Sequence, residues 1–377
     1  MPVLRLYLDE DADLKTDYRL SRASLQHLIG MLRSHQDHGW GHYLEVLVFV
    51  FWLASATSYR VVSRCFNIPR STVHEMVHRV TKKLLKLNNL VIHFPSHADL
   101  ENVGNGFAQL AGSPAFSRVV GSIDGCQIRV KPPSADAQCY LNRKLFYSVQ
   151  LQAVSRPPGD VPGYFYRIPG SVHDTRVLKN SPLYTQQLYP PEGFCILGDG
   201  GYPCLSAPIA LITPYKEPVR LVVARRFNHR HAKARSIIER SFGIMKTRWR
   251  SIFFKSLEVK PTFAPQVIAC CTILHNICVS NGDIMEPAEE VFRPDDNADQ
   301  PHLHQDQQRG EQIREHMAAA VSARMVWWQL LRLSHCSSRG MSPPDGGNKG
   351  RRLDRWPPPK CLIHEGVPLP RPRSGFA

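Results

Sequence analysis

Residues 119–125 have the sequence VVGSIDG, an apolar run that ends on an acid and a glycine. A short run of aliphatic residues that is closed by a turn residue predicts a buried β-strand. Asp124 is out of place at the end of such a strand, and the following Gly125 lets a ligand approach the backbone closely. The stretch therefore predicts a central strand that carries a carboxylate to a functional site.

The segments that follow this strand alternate between strand and helix patterns. The predicted strands lie at 119–123, 146–154, 164–166, 194–197 and 211–215. The predicted helices lie at about 170–178, 228–249 and 265–280, and Asn228 is expected to cap the second of them. This order predicts an α/β fold in which a mixed sheet is flanked by helices.

The N-terminal region has the helical pattern of an all-α, helix-turn-helix-like unit. Its first helix is predicted at about Tyr59–Phe66 and its second helix is predicted to open on a capping box from Thr72 to Glu75. The inward stripe of the second helix is predicted to consist of Val73, Val77, Val80 and Leu84. An ordinary helical hairpin has the same pattern, so both interpretations stay open. In the helix-turn-helix interpretation, four side chains face outward where a recognition helix meets base edges: Arg70, Ser71, His74 and His78.

The charge of the chain is concentrated in one part of it. The 377 residues have a formal net charge of +15, from 47 Lys and Arg against 32 Asp and Glu. All of this excess lies on residues 1–282, because a net −7 over 283–315 is cancelled by bases further along. Concentrated positive charge favours a polyanionic partner such as DNA.

Composition also excludes two classes of protein. The longest apolar run, at 46–56, is shorter than the roughly 20 residues that a membrane-spanning helix needs. The N-terminus has acids where a signal peptide needs an apolar stretch. The ten cysteines have no regular spacing, which predicts reduced thiols in a cytosolic or nuclear protein without a membrane partner.

Four carboxylates lie at the ends of predicted elements, where a surface ion pair is not the obvious explanation. They are Asp124, Asp174, Asp199 and Glu239. Each alone could be a turn, a helix-capping or an exposed residue. Together at one sheet edge they would repel one another, and divalent Mg²⁺ or Mn²⁺ ions, which prefer oxygen ligands, resolve that conflict.

A pair of such ions about 4 Å apart activates a water or hydroxyl and stabilises the leaving oxygen of a phosphodiester. Lys144, Arg235 and Lys246 are predicted to hold the phosphates nearby. His229 and His231 are predicted to be exposed or to face the phosphates. These residues predict a site for cutting DNA.

A zinc site is the competing interpretation of the helix at 265–280. Its candidate ligands are Cys270, Cys271, His275 and Cys278. Zinc sites usually have spaced pairs of ligands such as C-x₂-C, whereas two of these cysteines are adjacent on an apolar helix. We therefore interpret the four as buried thiols and a core histidine.

The motifs around the four acids resemble those of the DDE transposases of the PIF/Harbinger superfamily. The matching strings are GSIDG (121–125), YLNRK (140–144), FYS (146–148), PGSVHD (169–174), LGDGGYP (197–203), TPY (213–215), FN (227–228), RSIIE (235–239), FG (242–243), Lys246 and LHN (274–276). The resemblance implies an RNase H-like core that binds two divalent metals. It implies a catalytic triad of Asp124, Asp199 and Glu239, with Asp174 as a fourth metal-binding acid. Spacing leaves the second triad acid open between Asp174 and Asp199, and strand order favours Asp199.

The resemblance further implies a metal-dependent endonuclease without transposition activity. The alternative is a domesticated DNA-binding or scaffold protein that has lost cleavage. A second, Myb/SANT-like protein is the implied partner for DNA binding and nuclear import, which predicts a nuclear protein with a cytoplasmic pool. A homo-oligomer stays open.

The chain divides into four predicted segments. Residues 1–95 form the helical region and 116–280 the nuclease domain. Residues 281–334 form an acidic linker and a C-terminal helix. Residues 335–377 are rich in Pro, Gly and Arg, lack a periodic apolar pattern and depart from the family, which predicts a disordered tail or translated non-coding sequence.

Overall fold

The computed structural model describes residues 2–33, 39–134, 136–253, 256, 259–260, 262–286 and 304–323. Five strands form one sheet: β1 (Val119–Arg129), β2 (Ser148–Arg156), β3 (Asp160–Pro169), β4 (Cys195–Leu197) and β5 (Leu211–Ile212). Their order is β3-β2-β1-β4-β5. The first three pair antiparallel, whereas β4 is parallel to both β1 and β5. The predicted mixed sheet is confirmed.

Thirteen α-helices surround this sheet in the part of the chain that the structure describes. They are α1 (Pro2–Leu8), α2 (Arg22–Met31), α3 (His42–Ser55), α4 (Tyr59–Phe66), α5 (Arg70–Lys86), α6 (Asn88–Val91), α7 (Leu100–Ala111), α8 (Asp174–Asn180), α9 (Pro182–Thr185), α10 (Val222–Arg248), α11 (Arg250–Phe253), α12 (Ala264–Ser280) and α13 (His304–Ala323). None of the described helices is long and apolar enough to cross a membrane.

Two hydrophobic cores pack against the sheet. One joins the N-terminal helices α2, α3 and α5 to α12 and to the Cys126–Ile128 half of β1, and it includes Leu151 of β2. The other joins α7, α10 and α13 to the start of β1 and to β4 and β5. Because both cores are continuous with the sheet, both sets of helices hold its strands in place.

The central strand is longer than predicted. β1 continues five residues past Asp124 to Arg129, and the pairs Gly125↔Gln152 and Arg129↔Ser148 hold this extension against β2. The prediction ended the strand at the acid because apolar character stops there. Pairing with β2 overrides that signal, so Asp124 lies in the middle of the strand.

The long helix α10 begins at Val222, six residues before the predicted cap. Asn228 therefore lies inside the helix, and its side chain bonds the backbone of Tyr215: the amide N–H of Tyr215 donates to Asn228 Oδ1 at 2.8 Å, and Asn228 Nδ2 donates to the Tyr215 carbonyl at 2.9 Å. Asn228 thus joins the loop after β5 to α10 and does not cap a helix.

The N-terminal helix pair has the predicted positions but not the predicted cap. α4 is Tyr59–Phe66 as expected, whereas α5 begins at Arg70 after Pro69 without a side-chain cap. Thr72 is already inside the first turn, so the capping box is wrong. The predicted inward stripe is buried: Val73, Val77, Val80 and Leu84. These positions suit a hairpin and a helix-turn-helix equally, and the DNA-reading role stays a prediction.

The helix α13 falls within the predicted segment 281–334. Residues 287–303 of the acidic linker and the whole tail at 335–377 lie outside the described residues.

Candidate active site

The sheet brings three of the four predicted acids to one place. Asp124 is on β1, and Asp199 follows the parallel neighbour β4 by two residues. Asp174 is the first residue of α8. A Cβ atom on Gly201 would lie 3.2 Å from Asp199 Oδ1 and 3.8 Å from Asp174 Oδ2, so these two carboxylates share one glycine-lined space.

Glu239 joins this group through an arginine. Arg235 and Glu239 are one turn apart on α10, which packs across β1 and β2. Arg235 Nη1 donates to Asp124 Oδ2 at 3.2 Å, and its Nη2 donates to Glu239 Oε1. The side chains are 15% exposed for Arg235, 23% for Asp124 and 29% for Glu239, so the guanidinium is the most enclosed of the three. One cation of the chain therefore lies between two acids of the predicted triad.

Asp174 is held by a strand residue. Gln150 Nε2 of β2 donates to Asp174 Oδ1. A Cβ atom on Gly125 would lie 2.4 Å from that nitrogen and 2.6 Å from that oxygen. The glycine that we predicted would admit a ligand therefore makes room for the Gln150–Asp174 pair.

The electrostatics of the site are unfavourable for charge on Asp124 and Asp174. Burial raises the pKa of Asp124 to about 7, and Asp199 adds to the effect, although Arg235 opposes it. Burial also raises the pKa of Asp174, again with Asp199 as the next cause. Burial opposes the charge of Arg235, but Asp124 and Glu239 outweigh it and raise the pKa of the guanidinium. The site is thus a half-buried acidic group in which Arg235 only partly offsets the cost of charging Asp124.

The donor atoms suit a divalent cation. Asp124, Asp174 and Asp199 supply hard oxygen ligands of the kind that Mg²⁺ and Mn²⁺ prefer. Beside Asp174, the buried atoms Gln150 Oε1 and His173 Nε2 have no hydrogen-bond partner. Within the described residues, however, no three His, Cys, Asp or Glu side chains are already arranged as a metal-ligand group. The chemistry fits a metal, while Arg235 keeps Asp124 and Glu239 paired to itself.

The structure does not gather all the predicted DNA contacts at these acids. Lys246 is half-buried on α10, two turns after Glu239, and Lys144 is exposed. Arg143, the neighbour of Lys144, lies close enough to Asp174 to lower its pKa against the larger effect of burial. Arg70, Ser71 and His74 are exposed on α5.

Two predicted histidine positions are wrong. His231 is buried, and its Nε2 lies 3.1 Å from the Ile212 carbonyl, so it fixes α10 to β5 and cannot face a phosphate. His78 is half-buried, with its ring 3.9 Å from that of Phe263. His229 is exposed, as predicted. The exposure of these histidines depends on packing between elements that are far apart in the chain, which helix periodicity cannot predict.

Three residues around the acids were missed from the sequence. Gln150 holds Asp174, His173 precedes it, and Tyr202 is fully buried, with its hydroxyl accepting from Gln152 at 3.0 Å. Burial raises the pKa of Tyr202 well above its usual range, with the three aspartates adding to the effect. Glutamines in an otherwise apolar strand were the available signal, because buried amides need partners.

The competing zinc interpretation fails on burial and hydrogen bonding. Cys270, Cys271 and Cys278 are buried, and burial raises the pKa of each thiol. His275 Nε2 lies 2.9 Å from the Gly159 carbonyl, to which it donates. These residues are core side chains, as we interpreted them.

Comparison with known proteins gives a family match for the central part of the chain. Residues 123–276 match the family model described as DDE superfamily endonuclease. The matched segment runs from the residue before Asp124 to Asn276 and contains all four acids. No solved structure matches the chain significantly.

The relatives include proteins that are named as putative nucleases. The chain is 25% identical over 290 residues to the human protein named "Putative nuclease HARBI1", which covers 74% of this chain and 81% of the relative. It is 27% identical over 242 residues to the mouse protein of that name, and the match covers 63% of this chain and 67% of the mouse protein. It is 27% identical over 255 residues to the Arabidopsis thaliana "Protein ALP1-like", covering 63% and 61%. The predicted resemblance to Harbinger transposase-derived nucleases is therefore confirmed.

Proposed function

We propose that this protein is a divalent-metal-dependent nuclease that hydrolyses DNA phosphodiester bonds by a two-metal mechanism, without transposition. One observation carries the proposal: Asp124, Asp174 and Asp199 are half-buried at one place, and burial raises the pKa of Asp124 and of Asp174, with Asp199 adding to both effects. Carboxyl groups whose pKa is raised by burial and by a neighbouring charge are typical of functional sites. The "nuclease" in the relatives' names agrees with it.

In this proposal the aspartates hold Mg²⁺ or Mn²⁺. The bound cations supply an activated water and stabilise the leaving oxygen of the phosphodiester. Asp124 and Asp199 are the principal ligands, with Asp174 oriented by Gln150. Glu239 completes the catalytic group once Arg235 no longer holds it.

Arg235 has two roles in this proposal. In the metal-free protein it neutralises Asp124 and Glu239. When a DNA phosphate enters, the same guanidinium can donate to the phosphate oxygens, because arginine matches their geometry. Lys246 and Lys144 contact phosphates further from the cleaved bond.

The remaining features of the proposal concern the rest of the chain. Residues 116–280 form the nuclease domain, and α4 and α5 within residues 1–95 contribute DNA contacts through Arg70, Ser71 and His74. A Myb/SANT-like partner assists DNA binding and import into the nucleus, and a cytoplasmic pool remains.

The test is cleavage of supercoiled plasmid by the full chain with Mg²⁺, with Mn²⁺ and with EDTA. We expect the wild type to nick or linearise plasmid only with metal, and D124N to lose at least about 100-fold of this activity. The matched control is D160N, which changes a half-buried strand aspartate that pairs with Arg156. Full activity in D124N, or equal loss in D160N, would contradict the site assignment.

The second candidate is a DNA-binding scaffold that has lost cleavage. It is favoured by Arg235, which already occupies Asp124 and Glu239, and by the lack of a preformed metal group among the described residues. Titration of the metal-free protein with Mn²⁺ in a calorimeter separates the two. A scaffold binds DNA but neither binds Mn²⁺ at these acids nor cuts, whereas the nuclease does all three.

A further inference from the structure

The helix α10 is unusually basic for its length. Its 27 residues include eight Lys and Arg but one acid, Glu239. Surface helices usually place opposite charges three or four residues apart, since such pairs stabilise them and like pairs do not. The excess therefore costs the isolated helix stability, and it needs an explanation outside the helix.

Half of these bases have a partner within the protein or a place in the acidic site. Arg235 pairs with Asp124 and Glu239, and the buried Arg248 pairs with Asp283. Arg230 Nη1 donates to the Ala111 carbonyl at 2.9 Å. Lys246, two turns after Glu239, is half-buried. These four bases are accounted for by the fold or by the site.

The other four bases point to solvent. Arg225, Arg226, Lys233 and Arg240 are all exposed. None of these side chains forms an ion pair or hydrogen bond with a residue that the structure describes. With the exposed His229 they define the α10 basic face.

The geometry of this face suits a nucleic-acid backbone. At 3.6 residues per turn, positions 226, 229, 233 and 240 lie within about 60° of one another around the helix. The rise of 1.5 Å per residue spreads them over about 21 Å. That length matches roughly six base pairs of duplex DNA.

The face borders the acidic site. Arg240 directly follows Glu239, so the two side chains are about a quarter-turn apart around the helix. Arg143, in the segment before β2, lies near Asp174. A DNA strand that crosses the acids would therefore meet bases from two parts of the chain.

We propose that the α10 basic face binds the phosphate backbone of duplex DNA beside the cleaved bond, without reading its sequence. This inference takes its DNA ligand from the proposed function but does not need cleavage. An acidic protein could also bind such a face. The uniform positive charge along a helix-long stripe favours DNA, whose negative charge is continuous over that length.

The test measures binding of a fluorescent 20-base-pair duplex of arbitrary sequence by anisotropy, with EDTA and at several NaCl concentrations. The variant is the full-length triple R226Q/K233Q/R240Q. We expect its Kd at low salt to rise about 10-fold or more, and the slope of log Kd against log salt to fall by about 2 to 3.

Matched controls separate this face from general charge. The triple R5Q/R33Q/R309Q removes the same charge from exposed positions outside α4, α5 and α10, and we expect its slope to change by less than half as much. R226K/K233R/R240K keeps the charge and is expected to keep the wild-type slope. Circular dichroism verifies that each variant is folded.

Two outcomes would overturn the inference. An unchanged salt slope in R226Q/K233Q/R240Q would mean that the face does not contact DNA. An equal fall in the control triple would mean that binding follows total charge alone. Because metal is absent throughout, a failure of the nuclease proposal leaves this result unaffected.

Discussion

Two regions of this protein are rich in residues that can bind metals, and they behave in opposite ways. At the sheet, Asp124, Asp174 and Asp199 are crowded, and burial together with mutual repulsion raises the pKa of the first two. On α12, three cysteines and His275 are sealed in the core, and His275 donates to a backbone carbonyl. Residue type alone would suggest a metal site in both regions.

The difference lies in whether the polar groups are satisfied. The helix cluster can be neutral, because burial raises the pKa of its thiols and lowers the pKa of His275 to about 4. The carboxylate cluster is neutralised only in part by Arg235. The carboxylate cluster is therefore the better candidate for function, because functional sites often keep unfavourable charges that lower the stability of the fold.

The largest effect on stability is expected in the buried cluster of three cysteines and His275 on α12. H275A removes a buried ring and leaves the Gly159 carbonyl without its donor, so the free energy of unfolding should fall by about 3 kcal/mol. Urea unfolding at pH 7 measures it. The exposed H229A on α10 is the control and should change stability by less than about 0.5 kcal/mol. A loss of similar size in both variants would mean that burial of His275 is not the cause.

The buried His275 of α12 should also make the stability of the protein sensitive to acid. Burial lowers the pKa of His275 to about 4, below the unfolded value near 6.5. The unfolded chain therefore binds more protons between these values, so this stabilisation is present above pH 6.5 and is lost as pH falls toward 4. At pH 5 the loss is about 2 kcal/mol.

Unfolding measurements at pH 7 and pH 5 test this sign. H275Q can keep a donor to Gly159 but cannot titrate, so its stability should fall by about 2 kcal/mol less than that of the wild type. If both proteins lose the same free energy, the pKa of His275 is the same in the folded and the unfolded chain.

The smallest effect is expected at the acidic site and has the opposite sign. D174N removes a charge that burial and Asp199 disfavour but keeps a side chain that can pair with Gln150. The free energy of unfolding without metal should rise by about 1 kcal/mol at pH 8.

The control for this prediction is an aspartate with favourable surroundings. Asp283 is also buried, but the Ser21 amide donates to it at 2.6 Å and Arg248 pairs with it, which together lower its pKa. D283N should therefore destabilise the protein. If D174N also destabilises the protein, the surroundings of Asp174 stabilise its negative charge, and the prediction is wrong.

Several features could be predicted because they depend on local pattern. The order of strands and helices was predicted from apolar periodicity, and the buried stripe of α5 from the spacing of Val73, Val77, Val80 and Leu84. The ends of elements were predicted less well. β1 passes through Asp124, and α10 begins before Asn228, because pairing and packing with distant segments extend both elements.

The arrangement within the site could not be predicted from the sequence. Nothing local indicates that Arg235 bridges Asp124, 111 positions earlier in the chain, or that Gln150 bonds Asp174. Likewise, the patterns of His231 and His229 are similar, yet one is buried against β5 and the other is exposed. Such contacts join segments that are far apart in the chain.

The sequence by itself determined which residues could carry chemistry: the four acids, their glycine neighbours and the bases of α10. It did so because each departs from the pattern of the element around it. Only the tertiary structure decided which of them meet and at what electrostatic cost, since the raised pKa of Asp124 comes from burial and from Asp199, which follows the neighbouring strand β4. Burial and through-space charge are properties of the folded chain, and they separate the acidic site from the cysteines of α12.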